Sequence, residues 1–247
     1  MPEGPSIIIL KEAVQPFLKK KITAVSGNTT IEKERMLNKK VVAFRSWGKQ
    51  FFICFDGFSL RIHFLLFGSY LVNEEKEAKP RLRLDFKNGF INLYSCSIKF
   101  IEENLDDIYD EEVDVMSEKW NPDKAKSYLL AHPEMLVTDA LLDQNVFSGS
   151  GNIIKNEVLF RTSIHPKNKI GDLPAKKLAE MIAETRNYAF DFLKWKKQFV
   201  LRKHWLAHTK QTCANCGGTI TKEYLGKTKR RTFYCNNCQV NYSLDKV

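Results

Sequence analysis

Leu142-Asp-Gln-Asn-Val-Phe-Ser-Gly-Ser-Gly-Asn152-Ile153 is the stretch on which the organisation of this 247-residue chain turns. Gly149 and Gly151 let the backbone come close to a ligand, and a helix opening near Asn152 directs amide N–H groups at it. That geometry suits one phosphate, with the Asn152 amide as a further donor. The same residues would also make a plain turn between two helices. On both sides the apolar period is helical, over 122–130, 135–144, 151–161 and 173–196. Asn121-Pro122 reads as a cap followed by a first-turn proline, and Asp172 is expected to open the last helix.

Towards the C-terminus stand two knuckles, Cys213-x2-Cys216 and Cys235-x2-Cys238, with Lys227-Thr-Lys-Arg-Arg231 between them. Four thiolates on two short loops can wrap one Zn²⁺ tetrahedrally at about 2.3 Å. A segment this small has little core, so the metal would supply its folding energy. Paired disulfides or free thiols are the alternatives. Against disulfides, the start Met1-Pro2-Glu3-Gly4 is polar, and Cys54 and Cys96 are left over in strand-like sequence.

Towards the N-terminus, Ile7, Ile8, Leu10, Ala13 and Val14 predict a helix over 5–19 that ends or bends near Pro16. Strands are expected at 40–44, 50–55, 59–63, 68–72, 81–86 and 90–94, with Asp56-Gly57 and Asn88-Gly89 as hairpin turns. The acidic stretch 101–118, with nine Asp and Glu and no Lys or Arg, reads as a solvated linker with room for one turn of helix. The prediction is an α+β multidomain chain: an N-terminal antiparallel β-sandwich with an edge helix (1–118 with the linker), a helical domain (119–208) and a zinc ribbon or finger (209–247). No run is long enough to span a bilayer. Net charge is +10, and without the acidic stretch 39 Lys and Arg face 29 − 9 = 20 acids, or +19, which favours a polyanionic partner.

At this point the chain resembles a known family. Leu141–Asn152, Glu157-Val-Leu-Phe160 and Ile164-His-Pro166 look like the helix–two-turn–helix of the formamidopyrimidine-DNA glycosylase/endonuclease VIII family. Pro2-Glu-Gly-Pro5 resembles its catalytic start, Trp47-Gly-Lys-Gln50 its lysine-bearing turn, and Arg230-Arg-Thr-Phe-Tyr-Cys235-x2-Cys238-Gln239 its zinc-finger hairpin.

The resemblance implies a bifunctional DNA glycosylase and abasic-site lyase of base excision repair. Loss of Met1 would make Pro2 a secondary amine and nucleophile; an α-amino group titrates near ~8, against ~10.4 for lysine. Glu3 would be the acid/base group, although without the resemblance it reads as an exposed first-turn carboxylate. Lys49 and Arg230 would serve elimination and the flanking phosphates, and Gly149, Gly151 and Asn152 a further phosphate. Phe64–Gly68 matches the segment carrying the wedge that fills the gap left by an extruded base, which makes Leu65, Leu66 and Phe67 candidates. As plain sequence it reads as a buried strand, whose alternation would let only some of the three face DNA. The zinc would be structural, since four cysteines leave it no open position.

Pro2-Glu-Gly-Pro5 and Leu93-Tyr-Ser-Cys96 are closer to endonuclease VIII, which implies oxidised pyrimidines as substrates and β,δ-elimination. Segment 197–212 is short for the loop that the purine-directed branch folds over its lesion. Three positions depart from the family: Ser6 replaces a second glutamate, Leu65 a glutamine, and Glu112 lies near the place of a DNA-contacting arginine. The expected partner is damaged duplex DNA bound by a monomer away from membranes, in the nucleoid-bearing cytoplasm if the source is bacterial. Action on oxidised purines, or a non-catalytic zinc-ribbon protein that only holds nucleic acid, are the other readings.

Overall fold

The computed structural model describes residues 2–243, and the chain divides after Asp110 into two bodies. In the first, α1 (Gly4–Ala13) starts with Pro5 in its first turn, where the missing N–H costs nothing. It buries Ile7 and Leu10, and a 3₁₀ turn at Gln15–Phe17 replaces further helix at Pro16, as the ring requires. The strands are β1 (Ile22–Ser26), β2 (Ala43–Trp47), β3 (Gln50–Cys54), β4 (Ser59–His63), β5 (Ser69–Val72), β6 (Leu82–Phe86), β7 (Gly89–Tyr94) and β8 (Ser97–Ile101). They form two antiparallel four-stranded sheets, β1-β6-β7-β5 and β2-β3-β4-β8. Alternation does the sorting: β6 buries Leu82, Leu84 and Phe86 and leaves Arg83 and Asp85 partly open. β3 is buried on both faces. Phe51 and Ile53 join the sandwich core, while Phe52 and Cys54 meet Leu105 and Tyr109.

Two strands escape the pattern reading. β1 carries a bulge between Ile22 and Ala24, and β8 runs into the acidic stretch. β2 starts at Ala43 and not Lys40, because Val41 N–H bonds Lys20 O and leaves the ladder. The acidic stretch is not a solvated linker. The one helical turn it had room for is α2 (Leu105–Ile108), capped by Asn104, but Leu105, Val113 and Val115 are buried. Most of its acids stay open to solvent, but Asp114 is buried with its apolar neighbours Val113 and Val115, so counting charge alone misread it.

The second body holds α3 (Pro122–Leu130), α4 (Val137–Ala140), α5 (Asn152–Arg161), α6 (Ala175–Lys197) and the hairpin β9 (Thr221–Leu225)–β10 (Arg230–Tyr234). Asn121 caps α3 by accepting from the Asp123 and Lys124 amides, as its sequence predicts. α4 is far shorter than 135–144. Asp143 accepts from the Asn145 amide and Gln144 bonds Leu142 O, which turns the chain out of the helix. Asp172 does not open α6; it accepts from Lys169 N–H in a preceding 3₁₀ turn, and Pro174 starts the helix. The core gathers Val137, Leu141, Phe147, Ile154, Val158, Tyr188 and Phe192 around the turn after α4. The helical and cysteine-bearing segments pack as one body, joined through α5 and β10. Among the described residues no helix is long and apolar enough to cross a membrane.

Candidate functional site

In the first body, Pro2 is half-buried and Glu3 is 1% exposed at the N-cap of α1. The Glu3 carbonyl accepts from the Ser6 and Ile7 amides, which fixes the backbone that carries Pro2. The reading of Glu3 as an exposed first-turn carboxylate is therefore wrong: it is a buried carboxylate beside the proline. Ser6 is buried behind it.

Lys49 occupies a two-residue hairpin between Trp47 and Gln50, which pair in register. Gly48 supplies the left-handed conformation the turn needs, at φ +53°. Trp47 donates to Asp110 O at 2.8 Å and anchors the strand end. Gln50 pairs with His63 across β3–β4, and His63 is lowered below its ordinary range by burial first and by the nearby Lys49 and Arg61 charges. His63, the end of a strand by its sequence, thus lies between the Lys49 hairpin and the turn that follows β4.

Phe64–Gly68 is not a strand. Gly68 N–H bonds Phe64 O at 2.8 Å, Leu65 sits at φ +51°, and Leu65 N–H donates to His63 Nδ1 at 3.2 Å. A Cβ on Gly68 would lie 2.1 Å from Phe64 O, so only glycine closes this turn. Phe64 alone is buried; Leu65, Leu66 and the 87% exposed Phe67 all point out. Strand alternation therefore does not limit which of the three is presented. Cys96, after Tyr94 and Ser95, is buried in the core and its thiol is pushed up to about 12 by that burial.

In the second body, Gln144 ties the turn together: its amide bonds Leu142 O and Ser150 O, and its oxygen accepts from Gly149 N–H. Gly149 has φ +97°, and Gly151 is the N-cap of α5. Asn152 Nδ2 donates to Arg231 O at 2.9 Å, so one amide hydrogen serves the hairpin. Its Oδ1 is buried without a protein partner.

Below Asn152, α5 turns polar residues into the interior. Lys155 is fully buried and donates to Thr232 Oγ1 at 2.9 Å and Arg231 O at 3.3 Å. Asn156 accepts from Phe233 N–H and bonds His208 Nδ1. Glu157 accepts from the Leu206, Ala207 and His208 amides. Burial, then the Lys155 and Arg231 charges, lower His208 to about 4. These residues fix the strand that bears Arg230, which is half-buried at the start of β10 opposite Leu225. The hairpin loop is held from α4: Asp139 Oδ1 accepts from Lys227 N–H at 2.8 Å, and a Cβ on Gly226 would fall 2.3 Å from that oxygen. Glu112 faces Lys124 at 2.8 Å and Asn121 at 3.3 Å, and so supports the start of α3.

The four cysteines bring their sulfurs within 4.8 Å of one another. Cys213 and Cys238 lie 3.8 Å apart and Cys216 and Cys235 3.5 Å, well beyond the roughly 2.05 Å of a disulfide. A tetrahedral ion with bonds of about 2.3 Å needs sulfurs about 3.8 Å apart, so the set fits one metal ion. Gln239 accepts from Cys235 N–H and donates to Ile164 O, which fastens the second knuckle to the chain beyond α5.

Comparison with known proteins places this architecture. The formamidopyrimidine-DNA glycosylase N-terminal domain model matches residues 1–100, and the formamidopyrimidine-DNA glycosylase H2TH domain model residues 112–191. A viral DNA glycosylase superposes with a TM-score of 0.84 at 19% identity, covering 96% of this chain and 100% of that one. The Lactococcus lactis formamidopyrimidine-DNA glycosylase bound to DNA containing an abasic site also gives 0.84 at 19% identity, covering 96% and 99%. The fold is thus a glycosylase fold: a mixed α+β chain with a β-sandwich, a helix–two-turn–helix and a four-cysteine cluster. Endonuclease 8-like 3 of Mus musculus is 32% identical over 78% of this chain and 33% of its own length; endonuclease 8-like 2 of Bos taurus is 34% identical over 76% and 60%. The chain belongs to the formamidopyrimidine-DNA glycosylase/endonuclease VIII family, and spans about a third to three-fifths of those relatives.

Proposed function

We propose that this chain is a bifunctional DNA glycosylase and abasic-site lyase that excises oxidised pyrimidines. The observation that carries the reading is the burial of Glu3 at the N-cap of α1, directly after Pro2. A carboxylate kept from water beside an N-terminal imino group is a general acid/base placed at a nucleophile. After removal of Met1, the Pro2 nitrogen attacks C1′, the bond to the damaged base breaks, and the base leaves with a proton. Glu3 protonates the sugar ring oxygen as it opens, which leaves an iminium to Pro2. That cation acidifies the 2′ hydrogen, so the 3′ phosphate can leave by β-elimination and the 5′ phosphate by δ-elimination.

Lys49 and Arg230 would hold and neutralise the phosphates that depart, with Gly149, Gly151 and Asn152 gripping another. Leu65, Leu66 and Phe67 would fill the space an extruded base leaves. Segments 1–118, 119–208 and 209–247 would thereby contribute the nucleophile, the phosphate turn and the arginine hairpin. Cys213, Cys216, Cys235 and Cys238 would hold one structural Zn²⁺, keeping that hairpin folded. Damaged duplex DNA is the partner of a monomer, and the protein would reside with it, in the nucleoid-bearing cytoplasm if the source is bacterial. The relatives' names favour the endonuclease VIII branch.

Borohydride trapping on abasic-site DNA tests the chemistry, since only an iminium is reduced to a covalent adduct. Wild-type chain should trap and Pro2→Gly should lose most of it; no adduct from the wild type would leave a non-catalytic nucleic-acid binder. Single-turnover rates on thymine glycol, dihydrouracil and 8-oxoguanine duplexes decide the branch, and 8-oxoguanine opposite cytosine as the fastest substrate would overturn the pyrimidine assignment.

A further inference from the structure

Phe199 is 95% exposed and has φ +60°. It follows α6 at the position where a helix closes by a left-handed residue: Phe199 N–H bonds Lys196 O at 3.1 Å and Val200 N–H bonds Trp195 O at 3.0 Å. Glycine or asparagine is the residue this closure favours. A phenylalanine there bears two local costs, a strained backbone and an apolar ring in water, and neither is offset by packing. The surroundings are as one-sided as the ring is bare. Between Asp191 and Glu223 there is no acid, and Lys194, Lys196, Lys197, Arg202, Lys203, Lys210 and Lys222 all fall there. The first five of these are exposed and flank Phe199 in sequence.

An aromatic face amid cations matches a ligand that alternates flat rings with phosphates. We propose that Phe199 is a stacking platform for an unpaired base, with the flanking Lys197, Arg202 and Lys203 on the phosphates of the same strand. The proposal rests on the nucleic-acid reading above. Base–aromatic stacking tolerates any sequence because every base has a π face, so this contact would add affinity without selecting a lesion.

The test uses the full zinc-loaded chain and a single-stranded oligonucleotide carrying 2-aminopurine. Phe199→Gly should bind about tenfold more weakly and lose the stacking quench of the probe, while the slope of log affinity against log salt stays as in the wild type. Phe199→Trp should retain both binding and quench. Because glycine relieves the left-handed strain, Phe199→Gly should also melt about 2 °C or more higher. Equal binding and quench by Phe199→Gly and wild type would overturn the proposal, as would a lower melting temperature, which would make the ring structural. Phe199-dependent binding to anionic phospholipid vesicles, with no Phe199 dependence on DNA, would overturn it in favour of a membrane contact. Wild-type trapping on abasic DNA keeps the two readings separate: trapping with an indifferent Phe199 sinks only this one.

Discussion

At the scale of single residues the most consequential group is Lys155, whose ammonium has left water to bond the Arg231 carbonyl and the Thr232 hydroxyl. Lysine is almost never fully buried unless it is partnered, so its place in the second body is specific. Lys155→Met should cost about 1–3 kcal/mol in urea unfolding by orphaning those acceptors. On the proposed function it should also weaken duplex binding while leaving the metal content equal to that of the wild type. His208 gives a second prediction. Its folded value of about 4 lies below the ordinary 6.5, so the unfolded chain binds the extra proton. The stability this gives is complete above pH 6.5 and falls as pH drops towards 4. Urea midpoints across that range, taken with zinc in excess, should decline less in His208→Gln than in the wild type. Neither residue was legible beforehand. Lys155 and Asn156 look like the solvent side of a helix, and only the hairpin that covers them turns that side inward. The grouping of the four cysteines was legible from their spacing, whereas Pro2, Lys49 and Arg230 were singled out only through the family resemblance.

At the scale of elements, the β9–β10 hairpin depends on a contact with α4 that no spacing rule announces. Asp139 caps the Lys227 amide only because Gly226, at φ +76°, has no side chain to meet it. Gly226→Ala should therefore both strain the backbone and displace Asp139, lowering stability by about 1–2 kcal/mol. It should reduce DNA affinity in fluorescence anisotropy more than an Asp139→Asn change, which keeps an acceptor oxygen. The turn at Phe64–Gly68 teaches the complementary lesson. Phe64-Leu-Leu-Phe67 has the composition of a buried strand, and what makes it a presented turn is the Gly68 closure and the His63 acceptor. Helix starts at Asn121 and Asn152 were readable from caps and glycines. The early end of α4 was not, because it hinges on Gln144 and Asp143 bonding nearby backbone.

At the scale of the whole chain, charge and the four-cysteine cluster set the terms. With a net charge of +10, affinity for duplex should fall by about tenfold or more between 50 and 200 mM salt, measured by anisotropy on an abasic-site duplex. Stripping the metal with a chelator should unfold the hairpin, expose four thiols to alkylation ahead of the buried Cys54 and Cys96, and abolish duplex binding. Order along the chain, two sheets and then helices and then knuckles, was evident from periodicity and cysteine spacing. That the helices and knuckles would share a core was not, since the groups that join them, Glu157 with the 206–208 amides and Gln239 with Ile164, lie far apart in sequence.

The bond from Asn152 to the Arg231 carbonyl carries one last implication. The β9–β10 hairpin and the start of α5 surrender their independent motion when the chain folds, so on the proposed function none of that loss is left for the arrival of a strand. Docking then demands little fresh ordering, and departure should follow ionic strength promptly, without a slow local rearrangement to wait for.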